Sequence, residues 1–496
     1  MRYVVSNKVM AESDKACIAG GVSSVELMAR AAKGIFDNID KSGKTYIICG
    51  KGNNGGDGFA LACLMTEGGF DASVFYISDN ISADAAFYRQ RLIESGFKKI
   101  YPVCECDYEC DLIVDCIFGT GFSGVPKKEY ADVIKRINSS RAKVVAADIP
   151  SGLDGTGGRA VLAVKADKTI AIQAVKSGLL LGDGKDCCGE VVVVDIGIPI
   201  KGEKYAVIDN GFLRPLFQPR SKNCNKGSFG KSLIIGGSKE FPGAPKLAEA
   251  GRAALRAGAG LNTLCVPYSI SGAYAESVVE STLFPMADKD GAFVFDKGSI
   301  DRVMKGVTAV AIGPGMGGDR EENAKICEYI AKNFDCDCIM DADALNAFRE
   351  NITVLKDKKA RLLLTPHPKE ASRLTGKSVD EILNDPVYAA KELALSCDCI
   401  VLLKGATTVV TDGKEVALIA DGTPALAKGG SGDVLTGTIC GFAARGISLF
   451  DAACAGAYLC AVAAKHAEKE YGDWGVLASD VCKAAKKIVD SYEERM

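Results

Sequence analysis

The chain carries almost no net charge: 60 Lys and Arg against 63 Asp and Glu leave −3. No basic footprint therefore points to nucleic acid or to an anionic membrane surface. No apolar run approaches the roughly 20 residues that a membrane span needs. Val191 to Ile200, for example, is broken by Asp195 and Pro199. Met1 to Met10 is polar and lacks the apolar core of a secretory signal. These absences predict a cytoplasmic protein with neither nucleic acid nor membrane among its partners. Histidine is nearly missing, at two residues, and one of the two, His367, lies between prolines. Flanking prolines make a rigid presenting loop there, although a lone histidine is often only a satisfied polar group. The 15 prolines are outnumbered by 55 glycines, which cluster after apolar runs, where α/β proteins put ligand loops.

Cysteine is the exception to this sparseness, at 20 residues. In a cytosolic chain such residues are reduced core residues or metal ligands rather than disulfides. The close pairs Cys104/Cys106, Cys336/Cys338 and Cys397/Cys399, with adjacent Cys187 and Cys188, lack the doubled C-x-x-C spacing of a zinc ribbon. Most are expected to stand in for Ala or Val in strands and helices.

A length of 496 residues suggests two to four domains. Ser6 to Phe36 carries the pattern of two amphipathic helices. Thr45 to Cys49 is a short buried strand that runs into Gly50-Lys-Gly-Asn-Asn-Gly-Gly-Asp-Gly58, and Phe59 to Gly68 reads as the next helix. Strands follow at Ala72–Ile77, Asp111–Phe118, Lys143–Asp148, Lys168–Gln173 and Glu190–Asp195. Alternating βα units with apolar strands predict a doubly wound parallel sheet with helices on both faces. Asn210 to Gly230 loses periodicity, which places a boundary near Leu216 and domains at 1–215 and 216–496. A second α/β series then begins at Lys231, with an Ala-rich helix expected over Ala244–Ala257.

Two motifs mislead. Gly119-x-Gly121-x-x-Gly124 matches a dinucleotide fingerprint but does not follow the first strand, and Val125-Pro126 suits a loop better than a helix start. Asn225 to Ser232 misses a phosphate loop, with Asn at the first glycine and a strand where a helix belongs.

Ligands of doubly wound sheets bind at the carboxyl ends of strands. Asn53 to Asp57 offers backbone N–H groups and small residues to a phosphate or ribose. Asn54, Asp115 and Ser151 would converge at adjacent strand ends as an amide carbonyl, a carboxylate and a hydroxyl, hard oxygen ligands for a weakly bound cation. Asp148 ends a strand and could exchange a proton with a bound ring. The blander alternative gives Asp115 and Asp154 to loop backbone groups. Near the carboxyl terminus, Ala427-Lys-Gly-Gly-Ser-Gly-Asp433 feeds an apolar helix extending to about Arg445. A glycine turn at a helix start favours a bound anion. A carboxylate there is repelled by that anion unless it handles a proton, so Asp433 is read as a base beside a phosphoryl group rather than a plain helix cap.

The first half resembles the NAD(P)H-hydrate epimerase domain. The likeness is carried in order by Gly-Asn-Asn-Gly-Gly-Asp-Gly, Val-Asp115-x-x-Phe-Gly-Thr-Gly and Asp148-Ile-Pro-Ser-Gly-Leu-Asp, over about residues 5 to 212. It implies a Rossmann-like fold. It also implies that Asn53, Asn54, Gly55, Gly56, Asp57, Gly119, Thr120, Gly121, Phe122, Ser123, Gly124, Val125 and Asp148 hold hydrated nicotinamide nucleotide. Potassium is implied at Asn54, Asp115 and Ser151. The reaction would interconvert the R and S hydrates at ring carbon 6; Asp148 as its acid/base is an expectation from the residue's place at the strand end, separate from the resemblance. Leu27-Met-Ala29-Arg-Ala-Ala departs from the family's Leu-Met-Glu-Arg-Ala-Gly, which puts any role of that helix in question.

The second half resembles the ribokinase-like fold, and more closely the ADP/ATP-dependent NAD(P)H-hydrate dehydratase domain. The stretches concerned are Phe241-Pro-Gly-Ala244-Pro, Gly313-Pro-Gly315-Met-Gly, Asp341-Ala-Asp343-Ala-Leu-Asn346, Thr365-Pro-His367-Pro, Lys404-Gly-Ala-Thr-Thr408 and the Asp433 stretch, over about residues 220 to 490. The resemblance implies that Ala244, Gly315, His367 and Asp433 contact the hydrate. It implies that Lys404, Gly405, Ala406, Thr407, Thr408 and Gly432 hold the adenine nucleotide, ADP with Mg²⁺ or else ATP. NADH hydrate, NADPH hydrate and ADP are the expected small-molecule partners, and a homo-oligomer is expected because related dehydratases form them. Two other readings stay open: a vitamin-precursor kinase of the ribokinase-like class fused to a nucleotide-binding domain, and a non-catalytic module that senses NAD(P) derivatives.

Overall fold

The computed structural model describes residues 2–243, 252–275 and 279–493. Contacts divide the chain into two compact units, Tyr3–Tyr205 and the chain from Ala206 onward. This division lies some ten residues before the boundary expected near Leu216. Ala206 and Val207 pair in parallel with Ala417 and Leu418, and Ile208, Leu213 and Phe217 are buried in the second unit's core.

In the first unit seven parallel strands form one sheet. In spatial order they are Ile100–Pro102, Ala72–Tyr76, Thr45–Cys49, Leu112–Cys116, Lys143–Ala147, Lys168–Ile172 and Glu190–Val194. The central strands are buried end to end, which is why they read as continuous apolar runs. Met28, Ile35, Phe59 and Leu61 pack in one core cluster, and Ile48, Ile113, Ile134 and Ile137 in another. Thr45–Cys49 and Leu112–Cys116 are neighbours in register although two strands separate them in sequence. The direction of winding reverses between them, and a crevice opens outside their carboxyl ends.

The helix after Thr45–Cys49 begins at Asn53, not at Phe59. The glycine stretch is therefore the first turn and a half of a helix rather than a loop before one. Close approach explains it: a Cβ on Gly55 would lie 2.0 Å from the Gly50 carbonyl oxygen. Only glycine lets this helix start so near the strand that feeds it.

In the second unit the parallel strands run in the order Thr282–Met286, Leu261–Pro267, Lys231–Ile235, Ala309–Ile312, Asp337–Met340, Arg361–Leu364 and Ile400–Leu403. Thr408–Thr411 and Val416–Ile419 continue the sheet antiparallel. The helices Ser431–Ala444 and Leu449–Gly475, the latter interrupted at Gly472, bury Ile439, Phe442, Ala453 and Leu459 in the core cluster. Of the helix expected over Ala244–Ala257, residues 244–251 lie outside the described residues; Ala253–Arg256 is helical.

All twenty cysteines are free, and most are buried in strands and helices. Among the described residues no group of three or more His, Cys, Asp or Glu side chains is placed to hold a metal ion, and no helix is long and apolar enough to cross a membrane.

Candidate functional sites

The first site is built where the first sheet reverses direction. Asp115 is completely buried and accepts from the Ser151 hydroxyl at 2.6 Å, the Ser151 N–H at 2.8 Å and the Ile117 N–H at 3.1 Å. Burial pushes its carboxyl up to about 6 against the pull of those donors. Ser151 Oγ also accepts the Phe118 N–H at 2.8 Å, and Asn54 Nδ2 donates to the Phe118 carbonyl at 2.8 Å. The three residues expected to converge thus do so around Phe118. Asp154 takes the blander role and accepts the Thr156 and Gly157 N–H groups at 2.9 Å each.

Asn54 is 7% exposed, and its Oδ1 has no hydrogen-bond partner. An orphaned amide oxygen beside a buried carboxylate and a hydroxyl is a donor set that suits a hard monovalent cation. The residues fit the potassium that the resemblance implies.

A cleft of about 650 Å³ opens beside this network. Asn53, Asn54, Asp57, Gly119, Thr120, Gly121, Phe122, Ser123, Val125 and Asp148 line it. Gly55 and Gly56 are buried under the helix start, and Gly124 lies in the loop without reaching the cleft wall. The Phe118 and Phe122 rings stack at 4.6 Å and stiffen the loop. A smaller cleft of about 230 Å³ shares Asp14, Asn53, Asp57, Thr120 and Asp148 with the first. Its remaining wall is largely apolar, with Met10, Leu27, Met28, Ile196 and Ile198. The helix Ser24–Asn38 that departs from the family pattern therefore supplies wall residues at Leu27 and Met28, while Ala29 is exposed.

Asp148 follows its strand directly and sits at φ 69°, a region in which Asp is tolerated better than most residues. Its Oδ1 accepts from Lys176 Nζ and from the Ile172 N–H at 3.2 Å. Lys176 is 1% exposed and also donates to the Ile172 carbonyl at 2.7 Å. Sequence reasoning did not single out Lys176 or Asp14. A lysine four residues past an apolar strand was the available signal for the first.

The second site gathers at the carboxyl ends of the second sheet. The helix Ser431–Ala444 starts from Gly430, whose φ of 92° needs a glycine, and no side chain caps it. No side chain satisfies the N–H groups of its first turn, of which Ser431's reaches the Lys428 carbonyl at 3.3 Å, and Asp433 stands in that turn. Burial first, and then the charge of Asp341, push the Asp433 carboxyl up to about 7, while Lys404 opposes the shift. Burial alone would raise the Asp341 carboxyl, but Lys404, Thr436 and Thr365 hold it below its ordinary value. Lys404 Nζ lies 2.8 Å from Asp341 Oδ1 and 3.8 Å from Glu370, and the Thr436 hydroxyl donates to Asp341 Oδ2 at 2.8 Å. A Cβ on Gly432 would sit 3.8 Å from both Asp341 Oδ2 and Lys404 Nζ. Lys404, Gly432 and Asp433 are therefore brought together around Asp341, whose ordering role the sequence did not reveal.

His367 caps the helix Pro368–Thr375. Its Nδ1 accepts the N–H groups of Lys369 at 3.1 Å and Glu370 at 3.3 Å, and Glu370 returns the bond to the His367 N–H at 2.9 Å. Burial, Lys404 and Arg373 hold its imidazole below the usual value, which favours the neutral ring that an accepting Nδ1 requires. The ring stays 43% exposed by side chain. The Lys404 N–H donates to the Pro366 carbonyl at 2.8 Å and ties the two loops together. Gly405 and Ala406 are exposed in the hairpin between Ile400–Leu403 and Thr408–Thr411, with Thr407 buried and Thr408 half-buried. Gly315 lies at φ 61° in the turn after Ala309–Ile312, and the adjoining Gly313 abuts the Asp341 carbonyl. Ala244 lies outside the described residues. The near-miss phosphate loop is structural: Ser232 donates to Asn262 at 2.7 Å inside the sheet.

Two family models match the chain. The one described as NAD(P)H-hydrate dehydratase covers residues 232–487, and the one described as YjeF-related protein N-terminus covers residues 24–178. A bifunctional NAD(P)H-hydrate repair enzyme of Moorella thermoacetica is 32% identical over all of this chain and 98% of its own length. Among solved structures, an ADP/ATP-dependent NAD(P)H-hydrate dehydratase of Bacillus subtilis, co-crystallised with ATP/Mg²⁺, is 26% identical, with a TM-score of 0.50 over 58% of this chain and 99% of its own. A ribokinase-like superfamily protein of Enterococcus faecalis, 21% identical at a TM-score of 0.50 over 58% of this chain and 96% of its own, shares the fold.

Proposed function

The chain belongs to the family of bifunctional NAD(P)H-hydrate repair enzymes, and from that premise we propose how its two sites divide the work. The first half interconverts the R and S hydrates of NADH and NADPH. The second dehydrates the S form while ADP becomes AMP and phosphate. A dehydratase selective for one epimer leaves the other stranded unless an epimerase feeds it, which is the reason for one chain with two sites. Relatives that span both halves under a single repair function also separate this reading from a vitamin-precursor kinase with an appended domain.

The observation that carries the reading is Asp433, a carboxyl titrating near neutrality in the first turn of an uncapped helix. A base must hold a proton about as tightly as the surrounding medium to act in both directions. Asp433 takes the proton of the hydrate's hydroxyl, whose oxygen attacks the terminal phosphoryl of ADP. The N–H groups from Gly430 to Asp433 stabilise the charge that develops there. Phosphate leaves far more readily than hydroxide, so the lone pair of the ring nitrogen can then expel it to give an iminium, and loss of a proton from ring carbon 5 to solvent restores the double bond. Lys404, held in place by Asp341, supports the nucleotide together with Gly405 to Thr408 and Gly432. Mg²⁺ would arrive on the nucleotide and neutralise phosphate charge.

In the first half, Asn54, Asp115 and Ser151 would hold potassium, whose charge favours an ionised Asp115 and orders the Phe118 loop. Asn53 to Asp57, Gly119 to Val125 and Asp148 enclose the hydrate.

The test begins with mixed R and S NADH hydrate and follows the near-ultraviolet absorbance of NADH with and without ADP and Mg²⁺. Nucleotide-dependent recovery of the full signal supports both activities. Recovery of the S fraction alone, beyond spontaneous epimerisation, removes the first, and no recovery removes the whole reading.

A further inference from the structure

We propose that Asp57 is the catalytic acid of the first half: its carboxyl gives a proton to the hydroxyl at ring carbon 6, while Asp148, fixed by Lys176, faces the cation that forms. This rests on the reading of the first half as an epimerase. It moves the proton from Asp148, where the sequence pointed, to a residue that the same glycine-rich helix presents.

The geometry of the two clefts is the starting point. Asp57 and Asp148 both stand in the wall shared by the larger and the smaller cleft. The larger one, with its loop of small and polar residues, suits the nucleotide. The smaller one, floored by Met10, Leu27, Met28 and Ile196, suits a ring. The junction is where the reacting carbon of a ring attached to a nucleotide would lie.

The two carboxyls differ in their partners. Asp148 Oδ1 already receives the ammonium of a buried lysine and a backbone N–H, so its position is fixed by two donors. No hydrogen bond reaches the Asp57 carboxyl among the described residues. The groups facing it are Asp14 and Lys15 from the helix Asn7–Ala19, Asp84 and Tyr88 from the helix Ala83–Glu94, Asp148 and Lys176 from the loops beyond their strands, and Cys49 and Cys116 from the strands beneath. Burial and the charges of Asp148 and Asp14 hold Asp57 well above the usual carboxylate range, with Lys176 opposing. Asp57 is thus the carboxyl of the two whose surroundings favour the protonated form.

The chemistry closes on itself. The hydrate carries its hydroxyl on a carbon bonded to nitrogen. Asp57 protonates that oxygen, the carbon–oxygen bond breaks and water departs. The nitrogen lone pair becomes the second bond of an iminium. Water then adds to the other face, the electron pair returns to nitrogen, and the released proton restores Asp57. No oxidant or reductant is consumed. Asp148, and Asp57 once it has given up its proton, face the transient cation from the shared wall of the two clefts.

The experiment uses the full chain, the R hydrate of NADH, isotopically labelled water and separation of the epimers. Asp57→Asn is expected to lower the epimerisation kcat by about 100-fold or more, with KM changed by no more than about twofold. The ADP-dependent dehydratase rate of the same preparation stays unchanged and shows that the chain is folded. Wild-type epimerisation should carry enzyme-dependent label into the hydroxyl and should fall as pH rises. Retained epimerisation in Asp57→Asn alongside its loss in Asp148→Asn would overturn the assignment and return the proton to Asp148. Enzyme-dependent epimerisation without label would overturn the carbon–oxygen cleavage. A wild-type chain no faster than the spontaneous reaction would remove the epimerase reading itself.

Discussion

In the Tyr3–Tyr205 unit the carboxylate at the mouth of the sheet, Asp148, leaves the end of a strand and is paired to a buried lysine. In the second unit Asp433 stands in the first turn of a helix and shares its surroundings with another carboxylate. The sheets themselves do not differ in plan. Counted in chain order, the parallel strands of both run 3-2-1-4-5-6-7. A shared strand order puts each site at the carboxyl ends of the strands. It does not decide whether a carboxyl there is held ionised or left to take and give a proton. Burial, and after it the charge of Asp341, pushes Asp433 up to about 7, whereas Asp148 is tied to Lys176 by a direct hydrogen bond.

The largest effect that would break this comparison is in the second half. Asp433→Asn should reduce dehydration by at least about 1,000-fold, within the range of general base catalysis, and leave ADP binding by calorimetry and the epimerase rate largely intact. Loss of ADP binding would make Asp433 a structural residue. Because its folded carboxyl lies near 7, above the unfolded value, Asp433 favours the fold at acid pH, and that contribution is lost as pH rises through about 7. The same variant should therefore melt higher than wild type at about pH 8.

The next effect is on stability. Lys176→Met leaves Asp148 buried without its counter-ion and should cost about 3–5 kcal/mol in the unit that carries it. Lys404→Met should cost less, since the Lys404 side chain is 22% exposed and water reaches the pair more easily. Equal losses in denaturant unfolding would show that the two pairs are not distinguished by burial.

The third contrast is in pH dependence. Dehydration needs Asp433 deprotonated and should rise with pH through about 7, whereas epimerisation needs Asp57 protonated and should fall as pH rises. Opposite slopes measured on one preparation sharpen the comparison, and parallel slopes break it.

The smallest effect separates two roles of His367. His367→Ala removes a helix cap and should cost about 1 kcal/mol. His367→Asn restores an accepting side chain and with it the stability. If the ring also meets the hydrate, Asn recovers the melting temperature without recovering the dehydratase KM.

Much of this is legible in the amino-acid sequence. The strands announced themselves as apolar runs because both faces of a parallel sheet are covered, and the three polar loops at the first sheet's strand ends met as expected. The start of the helix at Asn53 was missed because glycine usually signals a turn. Here its absent side chain instead admits the Gly50 carbonyl, a contact invisible to local propensity. His367 was noticed for its prolines, while its capping bonds emerged only from the helix it begins.

The amino-acid order by itself determined the strand-and-loop alphabet, the two α/β series and the residue types delivered to each sheet's carboxyl edge. These follow from hydrophobic period and from glycine and proline chemistry within a few residues. Only the tertiary structure decided which charged groups surround each carboxyl. The partner of Asp148 lies 28 residues away and that of Lys404 lies 63 residues away. A proton's free energy depends on burial and on charges a few ångströms distant in space, and neither quantity is written in local sequence.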